Sequence, residues 1–70
     1  MAKNYKGYTI LINAEQDDVN GAWNGRYRIM SDESVVVYES FSGTVDSDKQ
    51  AVAEAEEAAC NWIDSEQGRL

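Results

Sequence analysis

The side chains of this chain that could do chemistry are mainly carboxylates, and their spacing does not predict a reactive site. The sequence has 13 aspartate and glutamate residues, one cysteine and no histidine. Without histidine it lacks the usual general base and the commonest metal ligand. Cys60 lies on the flank of an apolar helical stripe, with no activating partner indicated nearby. We therefore expect no catalytic residue and no enzymatic activity.

Metal and phosphate sites are equally poorly indicated. Residues 15–21 form an acidic loop with a glycine, but they lack the ligand spacing of an EF-hand. One cysteine without histidine fits no zinc pattern. Gly21 and Gly25 precede or interrupt a predicted strand, whereas a phosphate-binding loop follows a strand and opens a helix. The sequence predicts no metal ion, no cofactor and no small-molecule substrate.

The strongest structural signal is a helix in the last third of the chain, predicted at about residues 47–65. Ser47-Asp48-Lys49-Gln50 has the S-x-x-Q form of a capping box. The apolar residues that follow share one stripe at the helical period of 3.6. They are Ala51, Val52, Ala55, Ala58, Ala59, Trp62 and Ile63. The small alanines allow this helix to lie close to a sheet, with Trp62 and Ile63 filling the wider end.

Three segments before the helix are predicted as strands, at about residues 7–15, 23–30 and 35–41. The predicted fold is α+β, a three-stranded antiparallel sheet in β-β-β-α order with the C-terminal helix packed on one face. Residues 1–70 are predicted to form one domain. Gly25 is predicted to mark a bulge or a close approach beneath Trp23 or a helix alanine. The predicted shared core is Ile10, Ile12, Tyr27, Ala55, Ala59, Trp62 and Ile63.

One helix can cover only one face of such a sheet, so the other face is the predicted interaction face. Strand parity places Leu11, Arg26, Arg28 and Met30 there, joined by part of the apolar run at residues 35–38. The outward arginines are expected to pair with cross-strand acids such as Glu39. Apolar residues beside arginine are typical of interface cores. We expect a two-fold homodimer that meets sheet to sheet or edge to edge.

Charge and size narrow the choice of partner and setting. The net charge of −7 disfavours nucleic acid and anionic membranes. A 70-residue chain has a small core, which favours oligomerisation. The first residues lack the apolar region of a signal peptide, and the apolar runs are too short to span a bilayer. We expect a cytoplasmic protein.

Several short motifs resemble a set of small uncharacterised bacterial single-domain proteins with β-β-β-α order. The resemblance is carried by Lys6-Gly7-Tyr8 at the start, Trp23-x-Gly25-x-Tyr27 in the middle and Trp62-Ile63 at the end of the helix. More remotely, the element order is similar to the HicB antitoxin fold. That resemblance implies a protein that binds and blocks a small RNA-cleaving toxin.

The leading hypothesis is a small non-enzymatic protein that acts through protein contact or self-association. The first alternative is a HicB-like antitoxin, or inhibitor, whose acidic surface faces a basic or RNA-acting partner. The second is a weak nucleic-acid binder that uses Arg26-Tyr27-Arg28 on the open sheet. Strand parity directs Tyr27 away from the two arginines, which weakens the second alternative.

Overall fold

A computed structural model describes residues 2–68 as one antiparallel sheet with one helix packed across it. The strands are β1 (Ala2–Tyr5), β2 (Tyr8–Gln16), β3 (Trp23–Met30) and β4 (Val36–Val45), and helix α1 is Asp48–Gln67. Each strand pairs with the next along the chain, in the order β1-β2-β3-β4. The predicted α+β class, with a C-terminal helix on an antiparallel sheet, is confirmed.

The prediction of three strands is wrong, because β1 precedes the first predicted strand. β1 has only four residues and gives no clear alternation of apolar and polar side chains. A two-residue turn at Lys6 and Gly7 joins it to β2, with φ values of 48° and 87°. Positive φ at both turn positions is typical of a type I′ hairpin. β4 also continues to Val45, beyond the predicted end at residue 41.

The core lies between α1 and the inner side of the sheet. Alternation along β2 and β3 directs one set of side chains toward the helix, whose buried residues recur every fourth position. The clustered buried residues are Ile10, Ile12, Tyr27, Ile29, Ala55, Ala59 and Ile63. Trp62, which was predicted within this core, is half-buried and packs against its margin.

The helix begins where the capping box predicted. The Ser47 hydroxyl accepts a hydrogen bond from the Gln50 backbone N–H at 3.1 Å. The first turn lies very close to β3, since a Cβ atom built on Gly25 would be 2.2 Å from the carbonyl oxygen of Ala51. Gly25 therefore marks a close approach to a helix alanine, which is one of the two roles predicted for it.

Polar contacts fasten the β1–β2 hairpin to the outer side of α1. Lys3 forms an ion pair with Glu56, and the Lys6 ammonium lies 2.6 Å from an Asp64 carboxylate oxygen. The Tyr5 hydroxyl donates to the same carboxylate at 3.0 Å. These contacts join residues more than 50 positions apart in the chain, so they hold the short edge strand against the helix.

We expect the Lys6–Asp64 pair to make stability depend on pH in the acid range. The hydrogen bonds from Lys6 and from Tyr5 hold the pKa of the Asp64 carboxyl below its ordinary value of 3.8. The contribution of this group is complete above that ordinary value and is lost as pH falls through the folded-state pKa. Asp64→Asn should therefore lower the melting temperature near neutral pH and change it little at about pH 2. Thermal melts of both proteins at the two pH values test this, and an equal difference at both would contradict it.

Candidate functional site

The face of the sheet that points away from α1 has no covering element within residues 2–68. All four predicted interaction residues lie on it, because each alternates with a core residue of β2 or β3. Leu11 is directly opposite Arg28 across the β2–β3 pair, while Arg26 and Met30 flank Arg28 along β3. We call this surface the open face. Its principal side chains are Leu11, Glu15, Arg26, Arg28, Met30, Val36, Glu39 and Phe41.

Strand β4 adds two apolar residues to the open face, Phe41 and Val36, and Val36 belongs to the apolar run of which a part was predicted there. Phe41 is opposite Arg26, and Val36 is opposite Met30. Their relative exposures of 57% and 46% are among the largest for hydrophobic residues in the described chain. Phe41 shares its parity with the outward Glu39, which was an available signal. Val36 has the other parity and reaches the open face only because the register shifts between Tyr38 and Val36.

Charged side chains on the open face form a ladder across three strands. The Arg28 guanidinium donates to Glu39 at 2.6 Å, and Arg26 lies 3.6 Å from the other oxygen of that carboxylate. Arg26 also lies 3.8 Å from Glu15. The hydrogen bond from Arg28 is the main reason that the pKa of Glu39 lies below its ordinary value. The predicted pairing of the outward arginines with Glu39 is therefore present.

The charge balance of the open face differs from that of the whole molecule. Arg26 and Arg28 offset Glu15 and Glu39, so the excess of negative charge lies elsewhere. The Arg26 guanidinium also lies 5.9 Å from the centre of the Phe41 ring, within the range of a cation–π contact. Both arginines of the open face are therefore paired with carboxylates.

Two depressions in the described surface are small. One of about 110 Å³ lies between Leu11, Arg26 and Arg28 on the open face. Another of about 230 Å³ lies beside the β2–β3 loop and is lined largely by polar groups such as Glu15 and Asp17. Ligand pockets for small molecules usually enclose about 300–1,000 Å³. Both of these depressions are smaller than that range.

Two further kinds of chemistry, metal binding and nucleophilic attack by a thiol, are poorly supported by the described residues. Residues 2–68 contain no cluster of three or more aspartate, glutamate, histidine or cysteine side chains placed to hold a metal ion. Cys60 is half-buried, and burial is the main reason that the pKa of its thiol is raised. A raised pKa keeps the thiol protonated at neutral pH, and the protonated form is a poor nucleophile.

Comparisons of this chain with protein-family models, curated proteins and solved structures find no match. Within the described residues, no helix combines the length and the apolar character that are needed to traverse a lipid bilayer.

Proposed function

We propose that this domain is a non-enzymatic protein-contact module that associates with a second copy of itself through the open face. The observation that carries the proposal is an uncovered sheet face that combines exposed Phe41 and Val36 with Leu11 and Met30. Exposed apolar surface rimmed by polar side chains is typical of interaction sites. The single cysteine, which has no partner for an internal disulfide, supports a reducing cytoplasmic setting for this contact.

Electrostatic interactions favour association of two copies through the open face over association through the rest of the surface. A net charge of −7 on each copy opposes association. On the open face, however, Arg26 and Arg28 balance Glu15 and Glu39. A two-fold arrangement that meets through this face directs both acidic helices outward, away from each other. Association there brings together balanced charges and apolar groups.

The size of the face sets the expected strength of the contact. Four strands about 4.8 Å apart, with about eight residues rising 3.3 Å each, give a footprint of roughly 500 Å² per copy. That footprint belongs to the small end of specific interfaces, where binding is weak or transient. We therefore expect a dissociation constant in the micromolar range, about 8 kcal/mol of association free energy or less.

Sedimentation velocity over a concentration series tests the dimer. The parent protein should shift from monomer to dimer across the micromolar range. Leu11→Glu with Met30→Glu should weaken association at least a hundredfold, or about 3 kcal/mol, because the dimer would bury unpaired carboxylates. Val19→Glu with Asn61→Glu is the matched control, since it adds the same charge at exposed positions in the β2–β3 loop and on α1, off the open face. A parent that stays monomeric to near-millimolar concentration would overturn the proposal.

The antitoxin-like inhibitor is the second candidate function, and the acidic side of α1 favours it. Glu54 and Glu57 lie on the side of the helix that points away from the buried alanines. A basic RNA-acting partner would meet that surface with complementary charge. Glu54→Gln with Glu57→Gln should weaken such binding without weakening self-association through the open face. Calorimetric titration of the variants with a candidate partner separates the two functions.

A further inference from the structure

The two edges of the sheet differ in a way that points to a second binding surface. β1, at one edge, is four residues long, and its Lys3 and Tyr5 side chains are engaged by α1. β4, at the other edge, is ten residues long and has no strand beside its outer backbone within residues 2–68. An unpaired edge presents a row of backbone N–H and C=O groups to any extended chain. We call this outer side of β4 the β4 edge.

Along the β4 edge, apolar side chains lie on both faces of the sheet, with the polar residues Glu39 and Ser40 between them. Val36 and Phe41 project from the open face, whereas Tyr38 projects toward α1 and stacks on Trp62. Val35 and Val37 remain 55% and 41% exposed. An added strand lies about 4.8 Å from β4 and places its own side chains beside those of β4 on both faces. Strand addition therefore covers apolar surface that contact through one face alone cannot cover.

The backbone of β4 limits the length of such an occupant. The register with β3 shifts near Val37 and again near Ser42 and Gly43, which leaves a regular stretch from Tyr38 to Phe41. Bulges bend a strand and interrupt its ladder. We expect a short segment in which about four central residues pair with this stretch.

Charge identifies the chemistry of the occupant. Every charged side chain from residue 30 to residue 48 is acidic. Asp32 and Glu33 precede β4, Asp46 follows it, and all three are exposed. None of the three forms an ion pair with another residue in the part of the chain that the structure describes. The apolar β4 edge is thus bounded by free negative charge at both ends.

A second copy is a poor occupant of this edge. Two β4 strands that pair antiparallel around a two-fold axis would place Asp32 and Glu33 of one copy near Asp46 of the other. Like charges placed together across an interface oppose binding. A segment of another protein with basic residues at both ends of an apolar stretch would instead be attracted, because each of its ends would lie beside an acidic residue.

We propose that the β4 edge binds, by strand addition, an extended segment of another protein with an apolar β-forming centre and lysine or arginine at both ends. Backbone hydrogen bonds would supply affinity, and alternate side chains would supply specificity. The inference goes beyond the dimer proposed above, because it concerns the edge rather than the face of the sheet. The two proposals can fail independently.

A synthetic nine-residue peptide tests the inference, with alternating valine and threonine between Lys-Arg pairs. Titration into the full chain, followed by amide NMR, should shift resonances along β4 and leave β1 unchanged. Amide hydrogen exchange at residues 38–41 should slow. The same peptide with alternate backbone amides methylated keeps every charge and side chain, and it should not bind. Equal binding by the methylated peptide would overturn strand addition, as would shifts confined to the open face around Leu11 and Arg26.

Charge variants test the identity of the occupant. Glu33→Gln with Asp46→Asn should weaken peptide binding about fivefold, as expected for loss of two exposed ion pairs. The matched control, Glu54→Gln with Glu57→Gln, makes the same change in net charge on the side of α1 that points away from the sheet. Equal weakening by both pairs would indicate non-specific attraction and overturn the inference. In the Leu11→Glu, Met30→Glu variant, which should not associate through the open face, concentration-dependent β4 shifts without peptide would show that a second copy occupies the edge, which would also overturn the inference.

Discussion

Replacement of Gly25 by alanine should lower the melting temperature by roughly 12–24 °C, the shift expected for about 3 kcal/mol in a domain of this size. An added Cβ would lie 2.2 Å from the carbonyl oxygen of Ala51 and 2.6 Å from the hydroxyl oxygen of Ser42. The Ala51 oxygen belongs to the backbone of the first helical turn and cannot rotate away. Accommodation therefore requires α1 to move off the sheet.

Such a movement is costly because the helix supplies half of the core. Ala51, Ala55 and Ala59 are fully buried, and their small side chains set the short distance between α1 and the sheet. Overpacking a well-filled core usually costs about 1–3 kcal/mol, and the figure rises when backbone must move. For 70 residues, total stability is roughly 4–10 kcal/mol. The alanine variant should therefore lose a large share of it.

Chemical denaturation of Gly25→Ala beside Gly7→Ala tests the steric cause. Gly7 has a positive φ of 87°, and no atom lies within 4 Å of the place that an added Cβ would take, so alanine there meets only backbone strain. That strain costs about 1–2 kcal/mol. Ser42→Ala in the Gly25→Ala background should restore little, since the Ala51 carbonyl remains. A Gly25→Ala variant as stable as Gly7→Ala would contradict the close approach.

Local signals in the sequence specified the helix and two of the strands. The capping box placed the first turn of α1, and the Ser47–Gln50 hydrogen bond is present. Clean alternation along β2 and β3 separated core from open face. These features depend on neighbouring residues, so a short stretch of sequence contains the information that decides them.

β1 could not be predicted in the same way, because distant residues hold it in place. Its apolar content is low, and Lys3 and Tyr5 are fixed by acids of α1 more than 50 positions away. The turn at Lys6-Gly7 was the available local signal, since glycine after a polar residue suits a two-residue hairpin. A hairpin between residues 2 and 16 would have followed from it.

Only part of the candidate site could be predicted from the sequence, because the rest of it depends on how neighbouring strands pair. Parity within β2 and β3 was sufficient to group Leu11, Arg26, Arg28 and Met30 on one face. In β4, two register shifts break simple parity, so Val36 and Glu39 share a face although they are three residues apart. Bulges depend on the fit between strands and leave little trace in sequence. Which residue of the apolar run at 35–38 lies on the open face therefore became visible only in the structure, which places Val36 there.

The second large effect is expected at Trp62, which joins the helix to the β4 side of the sheet. Its ring stacks on Tyr38, with centroids 5.0 Å apart and planes at 17°, and meets Tyr8 edge to face at 6.4 Å. Each such aromatic pair contributes about 0.5–1.5 kcal/mol beyond burial of area. Trp62 is only half-buried, so we expect Trp62→Ala to cost about 3 kcal/mol, the lower end for loss of a large aromatic.

Urea denaturation of Trp62→Ala, Trp62→Phe and Trp23→Ala distinguishes the stability contributed by the ring contacts of Trp62 from the stability contributed by its side-chain volume. Phenylalanine keeps a ring between Tyr8 and Tyr38 and should recover about half of the lost stability. Trp23→Ala removes the same side chain from the far end of β3, away from this cluster, and should cost less. Each single-tryptophan variant retains the other indole as a fluorescent probe.

If the free energy of unfolding of Trp62→Ala lies within a few tenths of a kcal/mol of the parent value, the Tyr38–Trp62 stack does not hold β4 against α1. The apolar β4 edge would then lack the rigid support that strand addition requires, because a mobile edge strand must lose conformational freedom before it can pair.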